Sequence, residues 1–180
     1  MKNKTYLNTV DIALISVFCA LWAALNLTLG PLGFRLLRLP ILCDFSVFFT
    51  ILLVTWAVGK FGAASMVGII GSIIIYLISA SPHIIGFAAS AIVFDLLMSA
   101  NHHKLHVKAY NMVIAALATI VSAYFAGVII GVFFTEGATL EWAITMWGGL
   151  HLVGGIVSIT LTLPIIGVLE KANVRRIKSA

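Results

Sequence analysis

The chain has 180 residues, of which 62% are hydrophobic and only 9% charged, with a net charge of +5 and a mean hydropathy of +1.14. A soluble domain is about half apolar and about a quarter charged, so this composition leaves too few polar groups to cover a surface in water; it excludes an ordinary soluble domain and points to an all-α, polytopic membrane protein. The positive charge does not call for nucleic acid, because the basic residues flank apolar runs, where they set membrane orientation and meet anionic headgroups.

A spanning helix needs about 20 apolar residues. Residues 10–29 fill one such span. Asp11 opens it, where a carboxylate suits the positive end of the helix dipole, and Gly30-Pro31 is expected to stop it. This run is longer than the apolar core of a signal peptide and lacks an A-x-A cleavage pattern, so it reads as a span. The stretch GPLGFRLLRLPILCD (Gly30 to Asp44) begins as a loop and leads past Pro40 into the second span, 41–58, which ends at Gly59-Lys60. The uncharged stretch from Phe61 to Phe94 is too long for one helix and is divided by Ser81-Pro82, which predicts helices over 62–79 and 83–99. Residues 101–108 are polar and basic. Helix five is expected over 109–134, a short acidic loop over 135–141 and helix six over 142–169, followed by the polar segment KANVRRIKSA. The chain reads as one membrane domain.

The distribution of Lys and Arg orients these six spans. With the N-terminus inside, Lys2, Lys4, Lys60, Lys104, Lys108, Lys171, Arg175, Arg176 and Lys178 all face the cytoplasm, which leaves only Arg35 and Arg38 outside. This is a strong positive-inside bias, and it predicts an N-in, C-in protein of the cell membrane. The outer side then carries Arg35, Arg38, Asp44, Glu136 and Glu141.

Ser16, Ala20 and Ala24 recur every fourth residue and share one face of the first helix. Small residues there admit close approach of another helix, either within the bundle or from a partner subunit. Ala64, Gly68, Gly71 and Ser72 form a similar face on the third helix, with packing inside the bundle the favoured reading. Near the outer helix ends lie Asn26, Tyr76, His83, Trp142 and Trp147, with Tyr124 and His151 deeper; these are candidates to line a ligand cavity. Arg35 and Arg38 offer planar donor forks for a carboxylate or phosphate, or else pair with Asp44, Glu136, Glu141 or lipid phosphate. A histidine at these depths either satisfies a core hydrogen bond or serves as a ligand contact, and the two tryptophans either belong to an interfacial belt or stack on a flat ring. Asp95, one turn from the inner end of helix four, is costly unless paired, and Lys60 or Lys104 is the expected partner. His102, His103 and His106 read as a solvated loop, since no cysteine or carboxylate nearby completes a metal shell. Cys19 and Cys43 read as small apolar fillers.

The phrases ALWAALNLTLGPLGFRLLRLP and PHIIGFAASAIVFD, together with six spans, the small-x-x-x-small first helix and the basic tail, resemble the S components of energy-coupling factor (ECF) transporters. Such proteins capture vitamins and related micronutrients in the prokaryotic plasma membrane. The resemblance implies that Ala20 and Ala24, extended by Ser16, dock a transmembrane T subunit. It also implies that Gly30 to Leu39 is a lid over an outward cavity, and that two cytoplasmic ATPases supply the energy. The chain itself has no G-x-x-x-x-G-K-[ST]. The family's nickel and cobalt members carry a histidine just behind the initiator methionine; this chain begins MKNKT, so neither a metal substrate nor a cofactor is expected. No G-x-S-x-G, H-E-x-x-H or aspartate cluster suggests an enzyme. A stand-alone secondary transporter or small channel is the alternative, weakened by the absence of an expected mid-membrane carboxylate other than Asp95.

Overall fold

The computed structural model describes residues 6–106 and 108–172, and all regular structure within them is helical. Lys2, Lys4, Arg175, Arg176 and Lys178 of the orientation count lie outside the described residues. Asn8 and Asp11 start the first helix by capping each other: the Asn8 side chain accepts from Asp11 N at 2.8 Å, and Asp11 Oδ2 accepts from Asn8 N at 2.9 Å. This capping box satisfies two of the amide donors that a helix N-terminus leaves open. From there α1 (Thr9–Leu37), α2 (Ile41–Val58), α3 (Ala63–Ser79), α4 (Ile84–Met98), α5 (Ala109–Phe134) and α6 (Leu140–Lys171) follow in order. Five of these, with α4 counted through its terminal 3-10 turn to Asn101, are long and apolar enough to cross a membrane. Ala63–Ser79 is equally apolar but shorter.

The first helix corrects an expectation. It does not stop at Gly30-Pro31 but runs through Pro31 to Leu37, where Arg38, in the left-handed region at φ 55°, closes it by donating its N–H to Phe34 O at 3.1 Å. Pro31 denies the Leu27 carbonyl its usual helical donor, but packing outweighs that loss. Gly30 and Gly33 lie against α2 so closely that an added Cβ would stand 3.2 Å from Cys43 Sγ and 3.0 Å from Leu42 Cβ. The expected lid loop of Gly30 to Leu39 is therefore the last two turns of α1 and a tight connection to α2.

Burial sorts the helices. On α1 the face of Asp11, Ile15, Cys19, Trp22, Asn26, Gly30 and Gly33 turns inward. Ser16, Ala20 and Ala24 lie on the opposite, exposed face. The small residues of α3 do pack internally: a Cβ at Gly68 would overlap Ala91 of α4, and one at Gly71 would overlap the fully buried Trp22 ring. Helix α2 is the most enclosed, with 67% of its span buried, and it contacts α1, α3, α5 and α6.

The end of the bundle around Lys60 is closed by ion pairs. Lys60 Nζ lies 2.6 Å from Asp11 Oδ2. Asp95 is paired neither with Lys60 nor with Lys104, contrary to expectation. Its Oδ2 accepts from Gly62 N at 2.8 Å, Ser65 N at 3.1 Å and Ser65 Oγ at 2.7 Å, so a carboxylate of α4 caps the N-terminus of α3, whose own N-cap, Gly62, has no side chain. His103 Nε2 faces two acceptors of the same residue, Asp95 O at 2.9 Å and Oδ1 at 3.0 Å. His103 is thus buried, not solvated, whereas His102 is exposed. His106 Nδ1 and Trp56 Nε1 both reach Glu170 Oε1, at 3.1 and 3.2 Å, and tie α2 and the loop before α5 to the end of α6.

Candidate functional site: a buried Asp–His pair beside twin cavities

At the opposite end, where α1 turns into α2, the arrangement differs. Asp44 falls in the first turn of α2, fully buried. Its Oδ1 lies 2.8 Å from Nδ1 of His151, which is 107 residues away on α6 and only 1% exposed. Asp44 is therefore not a surface partner for Arg35 or Arg38. Gly154, one turn beyond His151, makes the contact possible, because a Cβ there would overlap Asp44 Cβ, Cγ and Oδ2. With Asp44 ionised its oxygens only accept, so Nδ1 donates to Oδ1 in that state. Among the described residues neither His151 Nε2 nor Asp44 Oδ2 has a hydrogen-bond partner.

A local helix irregularity supplies the next wall. Residues 143–147 form a π-helical segment within α6. In an α-helix, residues five apart point about 140° away from each other; the wider turn of a π segment brings them onto one face. Trp142 and Trp147 accordingly stack, with ring centroids 5.4 Å apart and planes 21° apart. Trp147 in turn meets His151 edge-on at 5.7 Å, and Phe87 of α4 meets the same imidazole at 5.6 Å. Close approach of α5 holds this face in place: a Cβ at Gly127 would stand 2.7 Å from Trp147 O and 2.8 Å from His151 Cβ. Trp147 Nε1 has no hydrogen-bond partner among the described residues.

Two adjoining cavities open at this end. One, of ≈ 130 Å³, is lined by Phe34, Pro40, Cys43, His83, Phe87, Ile130, Phe134, Thr135, Trp147 and His151. The other, of ≈ 140 Å³, is lined by Asn26, Leu27, Gly30, Pro31, Ser79 and Ser81 and shares Phe34, Cys43 and His83 with the first. The walls are mostly apolar, with a few convergent polar groups, which is the usual makeup of a small-molecule site. His83 sits in the turn before α4, outside the spanning segment. Its pKa is lowered from the ordinary imidazole value chiefly by burial, which favours the neutral ring.

The expected site residues divide. His83, Trp147 and His151 meet at the first cavity, and Asn26 and His83 at the second, where Asn26 Nδ2 also donates to Ser46 Oγ at 3.2 Å. Trp142 supports Trp147 from behind and borders a separate hollow over residues 135–139. Tyr124 lines neither cavity; its ring packs against Gly148. Tyr76 is exposed on the outer side of α3. Arg35 and Arg38 are exposed, line neither cavity and make no ion pair among the described residues, because α1 stays helical to Leu37 and no loop folds them inward. Asp44, Phe87, Phe34 and Cys43 were missing from the expected set. The available signal for Asp44 was an acid within ILCDFSVFF with no basic residue one turn away; the others had none. Among the described residues no group of three or more His, Cys, Asp or Glu side chains converges as a metal site would.

Five apolar helices of spanning length define the class of this protein, an all-helical multi-pass membrane bundle. No family model, no curated protein and no solved structure matches the chain.

Proposed function

We propose that this chain is the substrate-capture subunit of an ECF-type importer, taking a vitamin-like small molecule from outside a prokaryotic plasma membrane without enzymatic chemistry. The observation that carries this reading is the twin cavity at the α1–α2 end, bordered by a 99%-buried histidine whose Nε2 has no hydrogen-bond partner among the described residues. A buried polar atom without a partner costs free energy unless a ligand satisfies it. The Lys and Arg count supports an arrangement with this end outside, six helices crossing the bilayer and both termini in the cytoplasm. Phe34 and Pro40, from the end of α1 and the connection after it, form part of the cavity wall and replace the lid loop in this mechanism. Arg35 and Arg38, just beyond, meet lipid headgroups.

Support for a partner comes from α1. Its exposed stripe of Ser16, Ala20 and Ala24 is shallow enough for a second transmembrane helix to approach closely. In this reading a T subunit docks there and two cytoplasmic ATPases drive release. Native mass spectrometry of the purified protein should find a small molecule carried through purification. Ala20→Trp should leave that molecule bound while abolishing uptake in cells that co-express the T subunit and ATPases; normal uptake by that variant would remove the docking assignment.

One observation favours a second reading. A buried carboxylate–imidazole pair is the kind of group that proton-coupled carriers use, and Asp44–His151 supplies it beside the cavity. Uptake of the co-purified molecule by this chain alone, in proteoliposomes under an imposed pH gradient, would establish that reading over the first.

A further inference from the structure

We propose that Trp142, which lines neither twin cavity, sets the shape selectivity of the first one: by stacking on Trp147 it holds that wall in place, so that the space takes a flat ring and excludes a puckered one. This rests on the small-molecule capture proposed above and names a positioning residue that governs it.

The π segment brings the two rings together. Gly148 N–H donates to Ala143 O, five residues back, which is the hydrogen bond of a π turn. Ile144, Thr145 and Met146 of the turn are exposed and only Ala143 is buried, so the widened turn bulges away from the core. Such turns are rare and frequently mark functional sites. The product of this one is the Trp142–Trp147 stack, with centroids 5.4 Å apart.

Trp147 is the part of the cavity wall that the stack restrains. Its root is fixed by α5, because a Cβ at Gly131 would stand 3.3 Å from Trp147 Cβ and one at Gly127 only 2.7 Å from Trp147 O. A fixed root does not fix an indole, which still turns about two side-chain bonds. Contacts to the ring itself do that: His151 meets it edge-on at 5.7 Å, and Trp142 covers one face. Loss of Trp142 leaves the cavity lining and the Asp44–His151 pair intact, but it opens space behind Trp147 into which the ring can move.

A wall that cannot move discriminates by thickness. A cavity of about 150 Å³ is known to hold benzene, and this one measures ≈ 130 Å³, a close fit for one aromatic ring. A cyclohexane ring carries hydrogens above and below its mean plane, and forcing that extra thickness against packed side chains is unfavourable. Phe34, Phe87 and Phe134 complete the aromatic lining, which favours a flat π-system.

The test uses the purified full-length protein in detergent and two uncharged probes that differ in ring planarity, benzamide and cyclohexanecarboxamide. Dissociation constants are read by ligand-observed NMR against a detergent blank. In parallel, 5-fluorotryptophan labelling gives a fluorine signal for each of the four indoles, with that of Trp147 assigned by its loss in Trp147→Phe. The wild-type protein should bind benzamide at least about tenfold more tightly than cyclohexanecarboxamide. Trp142→Leu, which keeps an apolar side chain but no ring, should bring that ratio below about threefold and broaden the Trp147 signal. Trp142→Phe keeps a stacking ring and should stay within about twofold of the wild-type ratio. Leu140→Ala, at an exposed position in the same turn, should change neither readout, which separates loss of the stack from general loosening of the helix start. The inference is overturned if the wild-type protein does not bind benzamide or binds both probes alike, if Trp142→Leu keeps the wild-type ratio, if Trp142→Phe fares no better than Trp142→Leu, or if Leu140→Ala lowers the ratio as much. The wild-type ratio applies even where a variant does not fold. None of these outcomes bears on capture itself, which stands or falls with the molecule carried through purification and with uptake alongside the T subunit and ATPases.

Discussion

The two ends of the bundle set buried acids in different surroundings. Near Lys60, Asp95 Oδ2 accepts three hydrogen bonds, while Oδ1 stands 3.0 Å from His103 Nε2 and has no hydrogen-bond partner among the described residues, and Asp11 serves both a cap and an ion pair. At the α1–α2 end, Asp44 has a single hydrogen-bond partner among the described residues, His151, and an aromatic cavity adjoins it. A buried charge without full compensation is expensive. At the Lys60 end one carboxylate oxygen ties α4 to the start of α3; at the α1–α2 end the acid joins α2 to α6 beside an aromatic cavity. The lesson is that in so apolar a chain the meaning of a polar residue lies in how completely it is satisfied, more than in its presence.

Substitutions at matched positions can break this contrast. The largest effect is expected at Gly154→Ala, which should cost about 3 kcal/mol, because the new methyl and the Asp44 carboxylate cannot occupy one place and α2 and α6 must part. Unfolding of the purified protein by denaturant in mixed micelles would check it; a loss under about 1 kcal/mol would mean that Asp44 turns away at little cost. Next comes Asp95→Asn, expected to cost about 2 kcal/mol by replacing charge-assisted hydrogen bonds with neutral ones while leaving the α1–α2 end unchanged. The same change at the open end, Asp44→Asn, should shift stability by less than about 1 kcal/mol, since an amide oxygen can still accept from His151 and the buried charge is gone. Its effect should instead fall on ligand affinity, through a less firmly oriented imidazole. Equal stability losses for the two Asp→Asn variants would erase the distinction between the ends. The smallest effect on the isolated protein is expected for Ala20→Trp, within about 0.5 kcal/mol, because that position is exposed and touches no core residue.

Much of the helical layout was legible in advance. The boundaries of α2, α4 and α5 fall within about two residues of where hydropathy and the Gly59, Pro82 and Lys108 punctuation place them. The first helix was misjudged because Gly30-Pro31 is a strong local stop, and only the fit of Gly30 and Gly33 against Cys43 and Leu42 reverses it. The π segment that stacks Trp142 on Trp147 has no local signature in AITMW; in the fold its Ala143 and Trp147 lie close against Gly131 of α5. For the site, Asn26, His83, Trp147 and His151 were visible as polar or aromatic residues at the right depth. Asp44 was visible too, but it was assigned to the wrong environment, among outer charges, because nothing near it in the chain points to His151.

What the sequence determined by itself was the class of the molecule, the number and order of its apolar segments and the asymmetry of its positive charge. These are sums over neighbouring residues, and hydration free energy acts on them whatever the rest of the chain does. Tertiary structure alone decided that α1 outlasts its proline, that Ser16, Ala20 and Ala24 face outward, and that Asp44 meets His151. Each of those outcomes depends on which helix faces bury each other, a choice made among segments far apart in the chain.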